Sequence, residues 1–342
     1  MAEYLPWHDR FKDGLAQLLI RNPLKDEQTL FYWSHESSTA SIASEKCLSP
    51  RDGLSTLIKS FYRNGRSFEF VSKRTLERLK NAKVVFLCGA SALSDAEVSA
   101  LRAFADGGGR IVADVEPAIM NEHLAWRGKG ALSDLWGKGS SVLLGRKLSL
   151  AAAHESAPGA FDREIAALLP PPRVPVPSSR MDENAILRTR GGNGFDVVTA
   201  MWPATNLGAR VPVKLPGRHF IYSPMEGFVE ESDVLNLDFR KSPFVCRSVF
   251  NERQRRPVFS IPPSRLGGEV VFTPPALVSG RVYNLTVYDA SGEKRWSFVF
   301  DRKEKLPKRM YIGFNEKSGK WSARLMDCAT GLSSSVGFMV EE

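Results

Sequence analysis

Residues 83–136 read KVVFLCGASALSDAEVSALRAFADGGGRIVADVEPAIMNEHLAWRGKGALSDLW, and this stretch decides the fold class. Residues 84–88 form a continuous apolar run, which is typical of a strand buried on both faces of a parallel sheet. A helix with one apolar stripe follows, a glycine run ends it, and residues 111–115 form the next strand. The order of strand, helix and strand predicts a βαβ unit.

The start of this helix is marked by the four residues 94–97, which form an S-x-x-E capping box. In such a box the hydroxyl of Ser94 and the carboxylate of Glu97 each accept a bond from a backbone N–H that the first helical turn leaves without a partner. The sequence therefore predicts a helix that starts directly after Ser94.

Further strands are predicted at residues 29–33 and 67–71, with a helix at 51–62 between them. Alternating strands and helices are typical of a doubly wound parallel sheet, which we expect over about residues 28–145. Residues 147–180 are rich in proline, which removes backbone donors and disfavours helix, so they are predicted to form a connector. Beyond them an apolar period of two predicts β-sandwich structure.

The expected fold class is therefore α/β plus all-β, in which a flavodoxin-like parallel sheet is followed by immunoglobulin-like β-sandwich material. Before the sheet, residues 7–22 place Phe11, Leu15, Leu18 and Leu19 on one face of an amphipathic helix. The expected organisation is an N-terminal helix at 1–27, an α/β domain at 28–145, a proline-rich connector at 146–185, a β domain at 186–256 and an immunoglobulin-like sandwich at 257–342.

The opening stretch also resembles a known family. An apolar strand, L-S-D, F-x-x-G-G, I-V-A-D and G-x-L-x-D-L-x-G follow each other in the trimerisation domain of glycoside hydrolase family 42 β-galactosidases, a domain of the class I glutamine amidotransferase-like type. Here these parts lie at 84–88, 93–95, 104–109, 111–114 and 130–137. A segment similar to the one that follows this domain, P-G-x-x-x-Y-x-x-x-x-G, is matched by Pro216, Gly217, Tyr222 and Gly227.

This resemblance implies a non-catalytic accessory region of a glycoside-hydrolase-like protein, which serves assembly and positioning. Its implied partners are further copies of the chain, as a homo-oligomer, or a glycoside hydrolase barrel, with carbohydrate as a further partner. In the family the N-terminal helix stands where the barrel ends, so it is interpreted as the tail of a missing barrel.

Glycosidase chemistry needs two carboxylates that face each other across the glycosidic bond. In the family the acid belongs to an Asn-Glu pair on a barrel of eight βα units, and this chain offers about four such units. Its three Asn-Glu pairs lie in loops or turns, so none is predicted to be catalytic: Asn121-Glu122, Asn251-Glu252 and Asn315-Glu316.

Metal and cofactor chemistry is not predicted either. The five histidines are dispersed, and the four cysteines form no C-x-x-C pair. Gly107 to Gly109 follow a helix, whereas the glycines of a phosphate loop lead into one. Cys88 lacks the G-x-C-x-G context of an amidotransferase nucleophile and is interpreted as a core residue.

One candidate site remains. In open α/β sheets ligands bind beyond the carboxyl ends of the strands. This edge would bring together Ser34, His35, Glu36, Cys88 and Glu116. His35 with one of the two glutamates could act as an acid/base pair, so an independent, amidohydrolase-like enzyme is the alternative function. The other alternative is a carbohydrate-binding module in the C-terminal sandwich, which requires Trp296 and Trp321 to be exposed.

Composition excludes other classes. The net charge is +9, but 47 basic residues are scattered among 38 acidic ones, so no nucleic-acid partner is predicted. No run approaches the roughly 18 apolar residues of a membrane helix, so no membrane partner is predicted. The start, MAEYLPWHDRFKDG, has no signal-peptide architecture, and the location is left unassigned; a longer parent would be secreted or periplasmic.

Overall fold

The computed structural model describes residues 5–25, 28–44, 47–137, 139, 141–153, 157, 159–172, 174–177, 181–191, 194–202, 210–240, 242–303 and 309–342. Contacts within the chain separate two compact units. The α/β unit comprises residues 26–187 and 201–205, and the β unit comprises residues 1–25, 188–200 and 206–342. The domain boundaries given above stay predictions.

The helices are short, and most of them belong to the α/β unit. A π-helical turn, Phe11–Leu15, joins the first two, and a 3-10 helix lies at Leu76–Asn81. The α-helices are α1 Leu5–Arg10, α2 Ala16–Arg21, α3 His35–Ala43, α4 Pro50–Arg63, α5 Asp95–Asp106, α6 Leu148–Ala153 and α7 Ala160–Leu168.

The α/β unit contains a parallel five-stranded sheet in the order β2-β1-β3-β4-β5. Each of its central strands is buried, as the apolar run in the sequence predicted. Together with the antiparallel sheets of the β unit, this confirms a chain of α/β plus all-β class. The strands of this sheet are β1 Thr29–Tyr32, β2 Glu69–Val71, β3 Val84–Leu87, β4 Arg110–Ala113 and β5 Val142–Leu143.

Helices cover both faces of this sheet, because alternate residues of a strand point to opposite sides. Tyr32 and Leu87 belong to the core that contains Val98 and Leu101 of α5. The intervening residues of the same strands, such as Phe86, belong to a second core with α4, α6 and α7. The second core includes an aromatic cluster of Phe31, Phe61, Phe68 and Phe86.

The capping box of α5 is present as predicted. The Ser94 backbone N–H donates to Glu97 Oε2 over 2.7 Å, and the Glu97 backbone N–H donates to Ser94 Oγ over 3.3 Å. At the other end Gly107 caps the helix, and Gly108 adopts a φ of 87°, a left-handed conformation that glycine tolerates. The interpretation of this glycine run as a helix stop is confirmed.

Two segments differ from the predictions. Ser34, His35 and Glu36 follow β1 as expected, but they also start a helix that was not predicted, α3, with Ser34 as its N-cap. The stretch predicted as a proline-rich connector contains α6 and α7. Leu148, Phe161 and Ile165 are buried against α4, so these two short helices form part of the core of the α/β unit. Five prolines, at positions 170, 171, 172, 175 and 177, follow α7, and none lies inside it.

Residues 116–137 form a loop beside the carboxyl ends of the strands, which we call the arch. Its Met120 forms a parallel bridge with Ala92 and an antiparallel bridge with Trp126. Arg102 of α5 donates to Asp134 Oδ2 over 2.9 Å and also bonds the Ala131 carbonyl. The aspartate of the G-x-L-x-D-L-x-G segment therefore ties the arch to α5.

The described residues of the β unit form two five-stranded sheets and one two-stranded sheet. Their orders are β6-β7-β10-β8-β9, β11-β17-β16-β13-β14 and β12-β15. The strands are β6 Ile186–Gly191, β7 Phe195–Met201, β8 Arg210–Ser223, β9 Gly227–Asp238, β10 Phe244–Phe250, β11 Ser264–Arg265, β12 Glu269–Val271, β13 Val282–Tyr288, β14 Lys294–Asp301, β15 Arg309–Tyr311, β16 Gly319–Asp327 and β17 Ser333–Glu341. The first two residues of β6 and the last residue of β7 belong to the α/β unit in the division above.

The N-terminal helices pack in the β unit. Leu15 and Leu18 are fully buried in a core with Phe195 and Phe250, which agrees with the apolar face predicted for this segment. Gly14 has a φ of 131°, and a side chain there would overlap the Sγ atom of Cys328. The chain can approach the sheet this closely because position 14 is glycine.

The C-terminal part of the β unit has one core of its own. It contains a hairpin, because β13 and β14 pair in antiparallel fashion across a turn at residues 289–292. Trp321 is fully buried, and its Nε1 donates to the Lys317 carbonyl over 2.8 Å. Val270 of β12 and Met310 of β15 join the same core, so the two-stranded sheet packs on the five-stranded one.

Candidate functional site

The predicted crevice residues lie where the parallel strands of the α/β unit end. Ser34 lies two residues beyond the end of β1, Cys88 directly follows β3, and Glu116 lies three residues beyond the end of β4 at Ala113. Their side chains differ widely in burial, since Ser34 and Cys88 are buried whereas His35 is exposed. The local contacts of each side chain decide what it can do.

The Ser34 hydroxyl is occupied by backbone bonds. It donates to the Ala92 carbonyl over 2.8 Å and accepts from the Ser37 N–H over 3.0 Å. The Ser37 hydroxyl bonds both the carbonyl and the N–H of Ala92. The two serines therefore hydrogen-bond the start of α3 to the loop after β3. Ser34 acts as the N-cap of the helix, and both serines stabilise its packing on this loop.

Glu36 pairs with Lys73, which follows β2. Burial alone would raise the pKa of Glu36, but the hydrogen bond and charge of Lys73 bring it below its ordinary value. The carboxylate is therefore ionised at neutral pH and lies beside a cation. His35, its neighbour, points a largely exposed side chain to solvent.

A second carboxylate was not predicted as part of this edge. Glu97 is 1% exposed and accepts hydrogen bonds from the Tyr32 hydroxyl and from Ser94. Burial and the adjacent Glu97 raise the pKa of Tyr32, which keeps the phenol protonated as a donor. The capping box was recognisable in the sequence, but the bond from β1 depends on the packing of α5 against the sheet.

Cys88 is fully enclosed. Burial, and then the nearby Asp114 carboxylate, raise the pKa of its thiol well above the ordinary value, so the thiolate is disfavoured. A side chain at Gly53 of α4 would lie 2.9 Å from Cys88 Cβ and 3.2 Å from Asp114 Oδ2. The helix therefore lies directly over this pair, as expected for a core cysteine.

Asp114 is the other carboxylate that sequence reasoning missed. It ends the I-V-A-D segment, is 3% exposed, and accepts the N–H groups of Gly89 and Val115 over 2.8 Å each. Burial raises its pKa to about 6, although these bonds act in the opposite direction. Its position at a strand end was visible in the sequence, but its burial under α4 was not.

Glu116 is held within the arch. Its Oε2 accepts from the indole N–H of Trp136 over 2.8 Å, and burial raises the pKa of this carboxyl. A side chain at position 130 would overlap the Glu116 carboxyl group, so Gly130 leaves the space that it fills. Glu116 thus connects the two ends of the arch.

The chemistry of this edge is dominated by internal pairing. Hydrogen bonds or an ion pair engage Ser34, Glu36, Glu97, Asp114 and Glu116 with other parts of the α/β unit. Among the described residues no group of three or more His, Cys, Asp or Glu side chains is arranged to hold a metal ion.

The three Asn-Glu pairs lie in other surroundings. Asn121 Oδ1 accepts two backbone N–H groups of the arch, from His123 and Ala125. Asn251 and Glu252 are exposed. Glu316 lies 3.2 Å from the guanidinium of Arg295.

The two tryptophans that a sugar-binding groove would need are packed on each other. Trp321 is fully buried, and the partly buried Trp296 lies with its ring centroid 5.6 Å from that of Trp321. Trp321 is therefore a core residue and is not exposed as the sugar-binding alternative requires. In the described part of the chain no helix has the length and apolar character needed to cross a membrane.

Comparison with known proteins gives structural neighbours only. No family model and no curated protein matches the chain. Among solved structures it is similar to a β-galactosidase from Bacillus circulans sp. alkalophilus, at 11% identity and a TM-score of 0.48 over 69% of this chain and 44% of that one. It is also similar to a catalytic mutant of Gan42B, a GH42 β-galactosidase from G. stearothermophilus, at 12% identity and a TM-score of 0.46 over 66% of this chain and 40% of that one.

A third similar structure is the β-galactosidase from Rahnella sp. R3, at 12% identity and a TM-score of 0.45 over 66% of this chain and 40% of that one. The chain thus spans less than half the length of these structures. Structural neighbours of the chain are GH42 β-galactosidases at low identity and partial coverage.

Proposed function

We propose that this chain is a non-catalytic accessory region of a glycoside-hydrolase-like protein, which serves assembly and positioning. In this proposal the α/β unit is a trimerisation domain of the class I amidotransferase-like type, and residues 257–342 form an immunoglobulin-like sandwich. The proposed partners are further copies of the chain or a glycoside hydrolase barrel.

The observation that carries the proposal is the pairing of the polar groups at the strand ends. A catalytic carboxylate must face a substrate, and its hydrogen bonds are arranged toward the reacting atoms. Here Glu36 faces Lys73, Glu97 faces Tyr32, and Glu116 faces Trp136. These contacts join separate segments of the unit, which is what a scaffold requires.

The sheet order supports the finer fold assignment. The parallel order β2-β1-β3-β4-β5 is the one found in flavodoxin-like doubly wound sheets. The segments that match the family pattern have structural roles in this fold, since Ser94 and Glu97 cap α5 and Asp134 binds Arg102.

The arch supplies a surface for assembly. Trp126 is 60% exposed although the backbone bridges of Met120 hold the segment in place. The backbone N–H of Arg127 donates to the Ile119 carbonyl, and the backbone N–H of Asn121 donates to the Ala125 carbonyl. Tryptophan is one of the residues most enriched among the strongly binding positions of protein interfaces. Here its backbone is also held in place.

Analytical ultracentrifugation of the full chain over a concentration series tests the assembly. We expect a homo-oligomer whose dissociation constant rises by roughly tenfold or more in Trp126→Ala, the usual loss for a central aromatic anchor. Phe314→Ala is the matched control, because Phe314 is an aromatic residue that is 84% exposed in the β unit. A monomer at all concentrations, or equal effects of the two substitutions, would contradict the proposal.

Activity measurements test the non-catalytic part. The purified chain is expected to leave aryl β-galactosides and simple amides intact. Ready hydrolysis that is lost in Glu36→Gln, Glu116→Gln or His35→Ala, without loss of folding by circular dichroism, would instead establish an independent hydrolase at the strand ends.

A further inference from the structure

A basic pocket lies within the β unit. It has a volume of about 500 Å³ and is formed by four chain segments. The first two segments are the end of α2 with Pro23 and the end of β6 at Gly191. The other two are the turn before β13, at Ser279 and Gly280, and the end of β14 at Asp301 together with the next residues, Arg302 and Lys303. This volume lies within the roughly 300–1,000 Å³ that small-molecule sites occupy.

Buried hydrogen bonds hold the walls of this pocket in place. Asn22 is fully buried, and its side-chain amide donates to the carbonyls of Leu18 and Gly280 over 2.8 and 2.9 Å. The Gly191 N–H donates to the Pro23 carbonyl over 2.9 Å. Three of the four segments are thus fixed to each other before any ligand binds, which lowers the entropy cost of binding.

The charges of the pocket are unequal. Among the described residues of the lining, Asp301 is the one acidic side chain, and it is 3% exposed. It pairs with Arg21, and its Oδ1 accepts the Lys303 N–H over 2.8 Å. Burial would raise the pKa of Asp301, but these bonds and the Arg21 charge bring it below the ordinary value, so the pair of Arg21 and Asp301 is neutral overall.

Two cations remain beside this neutral pair. Arg302 and Lys303 are exposed, and within the described residues their side chains have no acidic partner. Guanidinium and ammonium groups bind carboxylate, sulfate and phosphate oxygens through charge-assisted hydrogen bonds. The excess of two positive charges in the lining therefore favours an anionic ligand.

We propose that this pocket binds the oxyanion group of a small ligand, a carboxylate or sulfate on a molecule of the size of a sugar acid. Arg302 and Lys303 contact the oxyanion, and the segment around Gly280 and Gly191 contacts the remainder of the ligand. The pocket is independent of the proposed assembly role, because it involves no residue of the arch.

Isothermal titration calorimetry of the full chain at low ionic strength tests this site with three probes: sodium sulfate, glucuronate and glucose. We expect saturable binding of one equivalent of sulfate or glucuronate, and none of glucose. Equal affinity for the two anions identifies a general oxyanion site, whereas tighter glucuronate binding identifies a sugar-acid site. Added salt should weaken both, because exposed charges are screened.

A charge-matched pair of variants makes the test specific. The double variant Arg302→Gln/Lys303→Gln is expected to bind the anion roughly fivefold more weakly or worse, from the usual strength of two exposed charge contacts. Arg255→Gln/Arg256→Gln removes the same charge from exposed positions outside the pocket and should change affinity less than roughly twofold. Absence of saturable anion binding, or equal weakening by both double variants, would overturn the proposal.

Discussion

Replacing Glu97 with alanine is expected to destabilise the α/β unit by about 2–4 kcal/mol, because one carboxylate serves two structural elements. It caps α5 by accepting from Ser94, and it accepts the hydroxyl of Tyr32 on β1. Loss of a helix cap costs about 1 kcal/mol. A buried hydroxyl left without a partner costs about 1–3 kcal/mol more, and Tyr32 is only 1% exposed.

The second contribution can be separated by a double-mutant cycle with Tyr32→Phe. In the original chain this substitution removes a hydrogen bond and is expected to cost about 1 kcal/mol. In the Glu97→Ala background it removes an unpaired hydroxyl, so the same substitution should be neutral or stabilising. The sign of its effect therefore depends on Glu97.

Equilibrium urea unfolding followed by the helical circular dichroism signal measures these free energies, because α3 to α7 all lie in the α/β unit. Glu77→Ala is the control, since it removes an exposed glutamate from the same unit and should change stability by less than about 0.5 kcal/mol. If Tyr32→Phe costs the same in both backgrounds, the two residues are not coupled and the reasoning is refuted.

Two further predictions concern buried charges. Folding raises the pKa of Asp114 from 3.8 to about 6, so between these pH values the folded state keeps a proton that the unfolded chain releases. The free energy that this proton contributes to folding is fully present below about pH 4 and is lost, by about 3 kcal/mol, as the pH rises through 6. Asp114→Asn should abolish this fall in urea unfolding between about pH 4 and 7, and an unchanged pH profile would contradict it. Arg281 pairs with Asp327 inside the β unit, so Arg281→Met should destabilise that unit by about 3 kcal/mol in thermal unfolding. Adding Asp327→Asn should recover part of the loss, and a further loss would contradict the pairing.

The βαβ unit could be predicted because its signals are local. The buried strand is recognisable as an uninterrupted apolar run, and the start of α5 depends on Ser94 and Glu97, which are three residues apart. The end of α5 depends on consecutive glycines. Each signal needs only neighbouring residues, so no knowledge of the tertiary fold is required.

The helices α3, α6 and α7 were missed for a physical reason. The sequence of α3, HESSTASIA, has no apolar periodicity, and its buried residues include Ser37, which is satisfied by bonds to Ala92. The six residues of α6 and nine of α7 are too short to be stable alone and form against α4. Tertiary contacts therefore decide these elements.

The candidate edge was predictable in position but not in chemistry. That Ser34, Cys88 and Glu116 follow strands could be read from the sequence, because strands end at the same edge of a parallel sheet. Which partner each side chain takes depends on distant segments, as for Glu36 with Lys73 and Glu116 with Trp136. Burial of Asp114 beneath α4 likewise depends on the glycine at position 53.

The division of the chain has a consequence for how the protein folds during synthesis. Two residues of the N-terminal helical segment, Leu15 and Leu18, lie in the core of the β unit. They leave the ribosome long before Phe250 and Cys328, their partners in that core. The α/β unit is inserted between these stretches and can form its sheet with residues up to 187 alone. Early in translation the apolar face of the N-terminal helical segment therefore remains uncovered, and exposed apolar surface of this kind is prone to aggregation until its partners are synthesised.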